Sequence, residues 1–521
     1  MGKVKTNPKL IIAGPGAGKT HNMVDSIVNA LPELSDVRYM AVITYTNAAA
    51  NNIYQRVAKR ISIPNNLFIG TMHSFLNKFI VMPFASFGGE TVAREKLFIQ
   101  CDLDAVFLKV ESMKAREKRA KTPKESAIIK KAIRQKLNTK GYITFDQTLA
   151  LAKDCLSNAG VCKALCNRLQ YLFVDEFQDS GNEVFGIIES IRKQGKTKIY
   201  CVGDPEQYIQ SFDSSIRSFL NIPILKAAAS ISYDIEINNS NYRSTVNIVT
   251  FLNRFNGRTF KSGVFRQEAK GKDGGAPDIG EDILFSPKWG SVTPIIEDFY
   301  LKCDILGIPV SNRCILAKKN DVTNRVAAAV NNHFMNPKKG SADSTMKMIQ
   351  DTLLATLRMN QTGFCDKYKT TVYTLRKYVL AIYRAISDGV ITNENTYGKF
   401  LKEVLKLEMV EGLPVKIENL KPDHALPSAT GVVTLCNIHT IKGLEAAAVL
   451  AIAKTQEELL LWIEIDSAIR EAQRDNETTD YPRLGYVAFS RAEKLLCIAC
   501  LEQVSGQTLE KLKNLGVRIL G

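Results

Sequence analysis

The stretch Ala13-Gly14-Pro15-Gly16-Ala17-Gly18-Lys19-Thr20 constrains this chain more than any other. Before it, Leu10-Ile11-Ile12 reads as a short buried strand. After it, His21 to Leu31 reads as a helix, with Met23, Val24, Ile27, Val28 and Leu31 at helical spacing. Strand, glycine-rich turn, Lys-Thr pair and helix together make a phosphate-binding loop. Gly14, Gly16 and Gly18, with the small Ala17 among them, let the backbone curl until several N–H groups face one anion. The helix N-terminus adds about half a positive charge there. Lys19 can reach the outer phosphates, and the Thr20 hydroxyl can hold Mg²⁺.

Composition narrows the partners. A net charge of +16 over 521 residues favours a polyanion, and nucleic acid before membrane, because no basic helix carries a strongly apolar face. No apolar run approaches the ~20 residues that span a bilayer, and the polar, basic residues 1–8 are no signal peptide. The expected location is cytoplasmic. The eleven cysteines are scattered. Cys162/Cys166 and Cys497/Cys500 are close pairs without the spacing of a metal cluster, and read as buried free thiols.

Strands alternate with helices, which predicts a parallel α/β fold. Further strands fall at Val37–Tyr45, Leu67–Gly70, Tyr171–Val174 and Lys198–Val202, then at Arg313–Ala317 and from Gly431 onward. Two stretches break the pattern. Residues 81–160 read as an insertion of basic helices, with twelve Lys/Arg against three Glu between Lys109 and Lys140. Residues 331–425 read as a small helical insert. The Gly/Lys-rich residues 256–280 read as a loop. The expected division is 1–80 and 161–240 for one α/β domain, and 241–330 and 426–521 for a second.

Four further motifs carry chemistry. Val174-Asp175-Glu176-Phe177-Gln178-Asp179 sets two carboxylates just past a buried strand, where an open α/β sheet presents its ligand site. Asp175 suits Mg²⁺, leaving Glu176 to orient and deprotonate an attacking water. Gln207, after the next strand, can sense a terminal phosphate. Arg243 in Asn241-Tyr242-Arg243-Ser244 and Arg491 in Ser490-Arg491-Ala492 offer rigid forks of donors to a transferring phosphoryl group. His73 and His439, both at strand ends beside Thr or Ser, can donate to the phosphates of a nucleic-acid strand.

This ordered set resembles the superfamily-one helicases of the UvrD/Rep/PcrA group. The likeness runs through residues 13–20, 44–47, 70–75, 174–179, 202–212, 241–244, 434–445 and 486–492. It implies two RecA-like parallel-sheet domains, each interrupted by a small, mainly helical insert, and ATP with Mg²⁺ as cofactors. It assigns Lys19, Thr20, Asp175, Glu176 and Gln207 to ATP from one domain, and Arg243, Arg491 and the ribose-binding Glu445 from the other. It assigns Thr46, Asn47, His73, Phe212 and His439 to single-stranded or tailed DNA, with movement 3′ to 5′.

The departures from the group's pattern are specific. No Gln precedes Ala13, the first being Gln55, so the adenine-reading glutamine of the group has no counterpart. Ala48 stands where Lys is common, Pro205-Glu206 replaces an acidic pair, and Gln210 and Asp213 stand where an aromatic and an Arg are usual. Phe212 is left as the stacking platform there, at ~1–3 kcal/mol per base. The small inserts, and the short stretch after Arg491, resemble compact UvrD-like proteins that work with a separate nuclease subunit in anti-phage systems, the Gabija type among them. Two activities follow: a DNA-translocating helicase, or a DNA-sensing ATPase that regulates a partner nuclease.

Overall fold

The computed structural model describes residues 7–85, 99–101, 122–139, 142–210, 218–271, 275–330, 334–335, 342–370, 372–387, 389–409, 432–472 and 479–521. Phe212 and residues 109–121 lie outside this set. The chain divides into two compact units. The first comprises residues 1–284, 456–495 and 505–519, and the second 285–455, 496–504 and 520–521.

The first unit is built on six parallel strands. They are β1 (Lys9–Ala13), β2 (Tyr39–Thr44), β3 (Leu67–Thr71), β4 (Leu169–Val174), β5 (Lys198–Gly203) and β6 (Asp234–Asn238). Their order across the sheet is β3-β2-β4-β5-β1-β6. β1 is buried at four successive positions, Leu10 to Ala13, as a central strand covered on both faces must be. β6, at the edge, buries none of its five residues. Helix α1 (Lys19–Ala30) packs Met23, Val24 and Ile27 against Ile11, Val42, Phe173 and Val202, so the predicted helical stripe is the core-facing one. The connection from β3 to β4 carries helices, among them Pro123–Asn138 and Phe145–Ser157, which is the expected helical insert.

In the second unit, the strands Phe334–Met335, Val433–Asn437, Arg313–Ala317 and Ala446–Ala453 lie side by side in that order, each adjacent pair parallel. Its insert is a helical subdomain (Ala342–Thr356, Gln361–Lys367, Val372–Ser387, Glu394–Glu403) with a core of its own around Leu353, Phe364, Ile382 and Tyr397. The α/β class read from the sequence is therefore the observed one, with two parallel sheets and two helical excursions. Residues 256–280 differ from the expected loose loop. Within them Glu268–Ala269 pairs in parallel with Ser240–Asn241, because Asn253 holds both backbone groups of Gln267. Ten of the eleven cysteines are described, and all ten are free and buried.

Candidate nucleotide site

Three neighbouring strands, β4, β5 and β1, end at one edge of the first sheet. From these ends run the Asp175-Glu176, Asp204–Gln207 and Gly14–Thr20 segments. The crevice outside the carboxyl ends of a parallel sheet is where such folds bind ligand.

The glycine-rich loop follows β1. Gly16 and Gly18 have φ of +69° and +72°, the left-handed region that glycine enters without steric cost. Gly18 is also the residue before α1, and no side chain caps that helix, so its first N–H groups are left for a ligand. Lys19 Nζ donates to the loop's own carbonyls, Ala13 O at 3.2 Å and Gly14 O at 3.0 Å. The ammonium thus stays in the cradle that a phosphate would share.

Asp175 sits at the end of β4 with its carboxylate buried, accepting the Glu176 N–H at 3.0 Å. Burial and the neighbouring Glu176 charge push its pKa up to about 7, although the Lys19 ammonium pulls it down. A buried carboxylate held this far from its ordinary value lacks compensating positive charge, and a hard cation would supply it. Among the described residues no group of three or more His, Cys, Asp or Glu could enclose a metal. That suits an ion such as Mg²⁺, which takes one or two protein ligands and completes its shell with phosphate and water. Thr20, half-buried on the first turn of α1, offers the second oxygen.

Glu176 adopts φ +48°, rare for a residue with a side chain and a mark of a constrained site. Its carboxylate accepts the side-chain amide of Gln178. The Gln178 Oε1 in turn accepts the Asp204 N–H at 3.0 Å, so one buried amide joins the ends of β4 and β5. Gln207 is anchored likewise. Its Nε2 donates to Asp204 Oδ2 at 2.8 Å, and its Oε1 accepts from Arg491 Nη2 at 3.0 Å. Burial lifts Asp204 to about 6, against the pull of Lys19 and the Gln207 amide. Arg491 is fixed further by Nε donating to Val487 O at 3.0 Å and Nη2 to Ser490 Oγ at 3.0 Å. Asn241 turns the backbone that carries Arg243, its Oδ1 accepting the Arg243 and Ser244 N–H groups at 2.9 and 3.0 Å. Arg243 Nη1 reaches Ser490 O at 3.1 Å.

The first unit thus gathers the loop, Asp175, Glu176, Gln207, Arg243 and Arg491. Thr46 and Asn47 are exposed where β2 ends and the helix Asn47–Ala58 begins, and the Thr46 hydroxyl caps that helix. His73 lies on the short helix after β3, and burial lowers its pKa. His439 and Glu445 are exposed in the second unit, between the strands Val433–Asn437 and Ala446–Ala453. Sequence reasoning missed Gln178, Asp204, Asn241 and Gln267 as site residues. Three of the four stood inside quoted motifs, but a string of letters does not show which amide faces which carboxylate.

Sequence reasoning also missed a charged hub behind Gln207. Glu206 accepts from Arg470 Nη2 at 2.9 Å and from Arg258 Nη2 at 3.2 Å. Arg258 also pairs with Glu471, and Arg483 lies over the Phe219 ring, 3.5 Å from its centroid. These groups border a cavity of about 420 Å³.

The class these features define is a P-loop nucleotide-binding unit, and residues 2–213 match the AAA domain family. The chain is related to the UvrD-like superfamily-one helicases. It is similar to the Gabija protein GajB of Bacillus cereus (strain VD045), at 28% identity over 48% of this chain and 47% of that one. It is similar to the ATP-dependent DNA helicase Rep of Escherichia coli (strain K12), at 25% identity over 40% of this chain and 35% of Rep. A probable DNA helicase II homolog of Mycoplasma genitalium aligns at 23% identity with 96% of this chain and 84% of its own length. The matched part spans about half of GajB and about a third of Rep. No helix among the described residues is long and apolar enough to cross a membrane.

Proposed function

We propose that this chain hydrolyses ATP with Mg²⁺ and couples hydrolysis to 3′–5′ movement along single-stranded DNA. The observation that supports this most is the Asp204–Gln207–Arg491 chain of hydrogen bonds beside the phosphate loop. It ties a phosphate-sensing amide to an arginine whose charge can act on a transferring phosphoryl group. On this reading Gly14, Gly16, Ala17, Gly18 and Lys19 bind the phosphates, and Thr20 and Asp175 hold Mg²⁺, which screens charge on the phosphate oxygens. Glu176 aligns the attacking water and accepts its proton. Arg243 and Arg491 stabilise the departing charge, and Glu445 holds the ribose. Thr46, Asn47, His73, Phe212 and His439 contact the strand; Phe212 rests on the motif alone.

Lys19→Ala and Glu176→Gln should each abolish DNA-stimulated phosphate release while leaving the circular dichroism spectrum unchanged. Wild-type turnover in either variant would overturn the assignment. A second reading draws on the similarity to GajB and on Gln210, Asp213 and the Pro205-Glu206 pair, which depart from the helicase pattern. In it the chain senses DNA through the same ATPase and regulates a separate nuclease, with little unwinding of its own. Strand separation on a 3′-tailed duplex separates the two. Processive unwinding by the chain alone would exclude the sensor.

A further inference from the structure

The phosphate loop is held from behind by a strap the motifs do not contain. Three successive loop carbonyls each accept a hydrogen bond from residues 238–267. Pro15 O accepts from Gln267 Nε2 at 2.9 Å, Gly16 O from the Tyr242 N–H at 2.8 Å, and Ala17 O from Asn238 Nδ2 at 3.1 Å. A peptide whose C=O is drawn to one side presents the N–H of the next residue to the other. Three carbonyls turned toward the strap leave the following amides turned toward the anion.

Gln267 is the strap's central tie. It is buried, and the same Nε2 donates to Ser240 O at 3.1 Å, three residues before Arg243. Its backbone cannot drift. Gln267 N donates to Asn253 Oδ1 at 2.9 Å, and Gln267 O accepts from Asn253 Nδ2 at 2.8 Å. The flanking Glu268 and Lys270 N–H groups bond to Asn239 O and Asn241 O. The side chain lies hard against the loop. A Cβ at Gly14 would stand 2.6 Å from Gln267 Cδ. One at Gly16 would stand 2.5 Å from Asn241 Oδ1 and 2.7 Å from Arg243 Cβ.

We propose that Gln267 is a positioning residue of the nucleotide site. It sets the loop's peptide planes for phosphate and fixes the loop to the segment that carries Arg243. The inference rests on the reading of the loop as a nucleotide site, and it adds a residue from the stretch that looked like linker. Gln267 touches no phosphate in this scheme and acts through Pro15 and Ser240.

The test is calorimetric titration of the full chain with Mg-AMPPNP, alongside steady-state ATPase. Gln267→Met keeps the length and packing but removes the donor. It should raise the dissociation constant and the KM for ATP about tenfold, as expected for one buried donor lost, with kcat within about twofold. Gln267→Glu sets a carboxylate against two carbonyls and should lose more. Gly14→Ala should weaken binding sharply, and Gln267→Ala added to it should recover part of the loss by removing the collision. A purely structural role would lower the urea midpoint of Gln267→Met and leave nucleotide affinity of the folded protein unchanged; that result overturns the proposal. So does a Gly14→Ala defect that Gln267→Ala does not relieve. Failure of the unsubstituted chain to bind Mg-AMPPNP would instead overturn the nucleotide reading beneath it.

Discussion

Glu206→Ala should destabilise the first unit by about 3 kcal/mol. Glu206 and Arg470 expose only 7% and 5% of their side chains, and their carboxylate and guanidinium meet at 2.9 Å. Removing one partner of a buried pair costs about 3–5 kcal/mol, because the other charge is left without compensation. The low end applies here. Arg258 keeps Glu471, and Arg470 keeps the carbonyls of Glu464 and Pro482 at 3.0 and 3.2 Å. Arg470→Met in the same chain should return roughly 1–3 kcal/mol as the coupling energy of a double-mutant cycle. The chain reports on itself in urea. Of its two tryptophans, Trp462 is fully buried in the first unit and Trp289 is 55% exposed in the second, so the emission red shift follows the first unit. Acid gives an independent check. Burial raises the Glu206 pKa, but Arg470, Arg258 and Arg483 together outweigh it and hold the carboxyl below 4.5. A carboxyl depressed in the folded state stabilises above its unfolded pKa, and that stability is lost as pH falls through the folded value. Glu206→Gln should therefore flatten the loss of stability below about pH 4.5. A penalty under about 0.5 kcal/mol for Glu206→Ala, or an unchanged acid limb in Glu206→Gln, would refute the hub.

Three further outcomes are expected. Gly16→Ala should cost more nucleotide affinity than Gly18→Ala, although both glycines sit at positive φ; a Cβ at Gly18 meets nothing nearer than Asn22 Oδ1 at 3.9 Å, whereas one at Gly16 collides with Asn241. Equal affinities by Mg-AMPPNP titration would count against that packing. Arg491→Lys should lower kcat by roughly a thousandfold with little change in KM, since a lysine cannot keep the fork that binds Val487 O, Ser490 Oγ and Gln207 Oε1. Changing Lys124, Lys130, Lys131 and Lys136 of the helix Pro123–Asn138 to Gln should flatten the salt dependence of single-strand binding, by up to about 0.7 in log–log slope per phosphate released. An unaltered slope would make that helix a solvated surface.

How far the sequence could be read depended on the range of the interaction. The strands of the first sheet were legible because a buried parallel strand must be apolar at successive positions, as Leu10 to Ala13 are. The catalytic set was legible because Lys19, Asp175 and Arg491 stand in short strings whose chemistry is local. Two things were not. The Glu206 hub joins residues 258, 470 and 483 to a carboxylate far away in sequence, and each arginine read alone is an ordinary surface charge. The strap was hidden by composition. Residues 256–280 are rich in Gly and Lys, and that signals a loop by local propensity. Gln267 is nevertheless buried, because Asn253 satisfies its backbone in place of a neighbouring strand.

That substitution bears on how the phosphate loop works. The loop's glycines supply the conformational freedom to form an anion cradle, but freedom alone leaves the amides free to turn away. The hydrogen bonds to Pro15, Gly16 and Ala17 remove it. They come from the segment that bears Arg243, whose N–H is itself turned by Asn241. The residues that bind phosphate and one that would answer its departure are therefore set by a single network. A change at Asn241 should disturb both. Asn241→Ala leaves the Arg243 and Ser244 N–H groups without their acceptor, each worth about 1 kcal/mol or more when buried. It should raise KM for ATP and lower kcat together, where Gln267→Met moves KM alone. If Asn241→Ala moved only one of the two constants, the loop and the arginine would be held independently, and the network would be two.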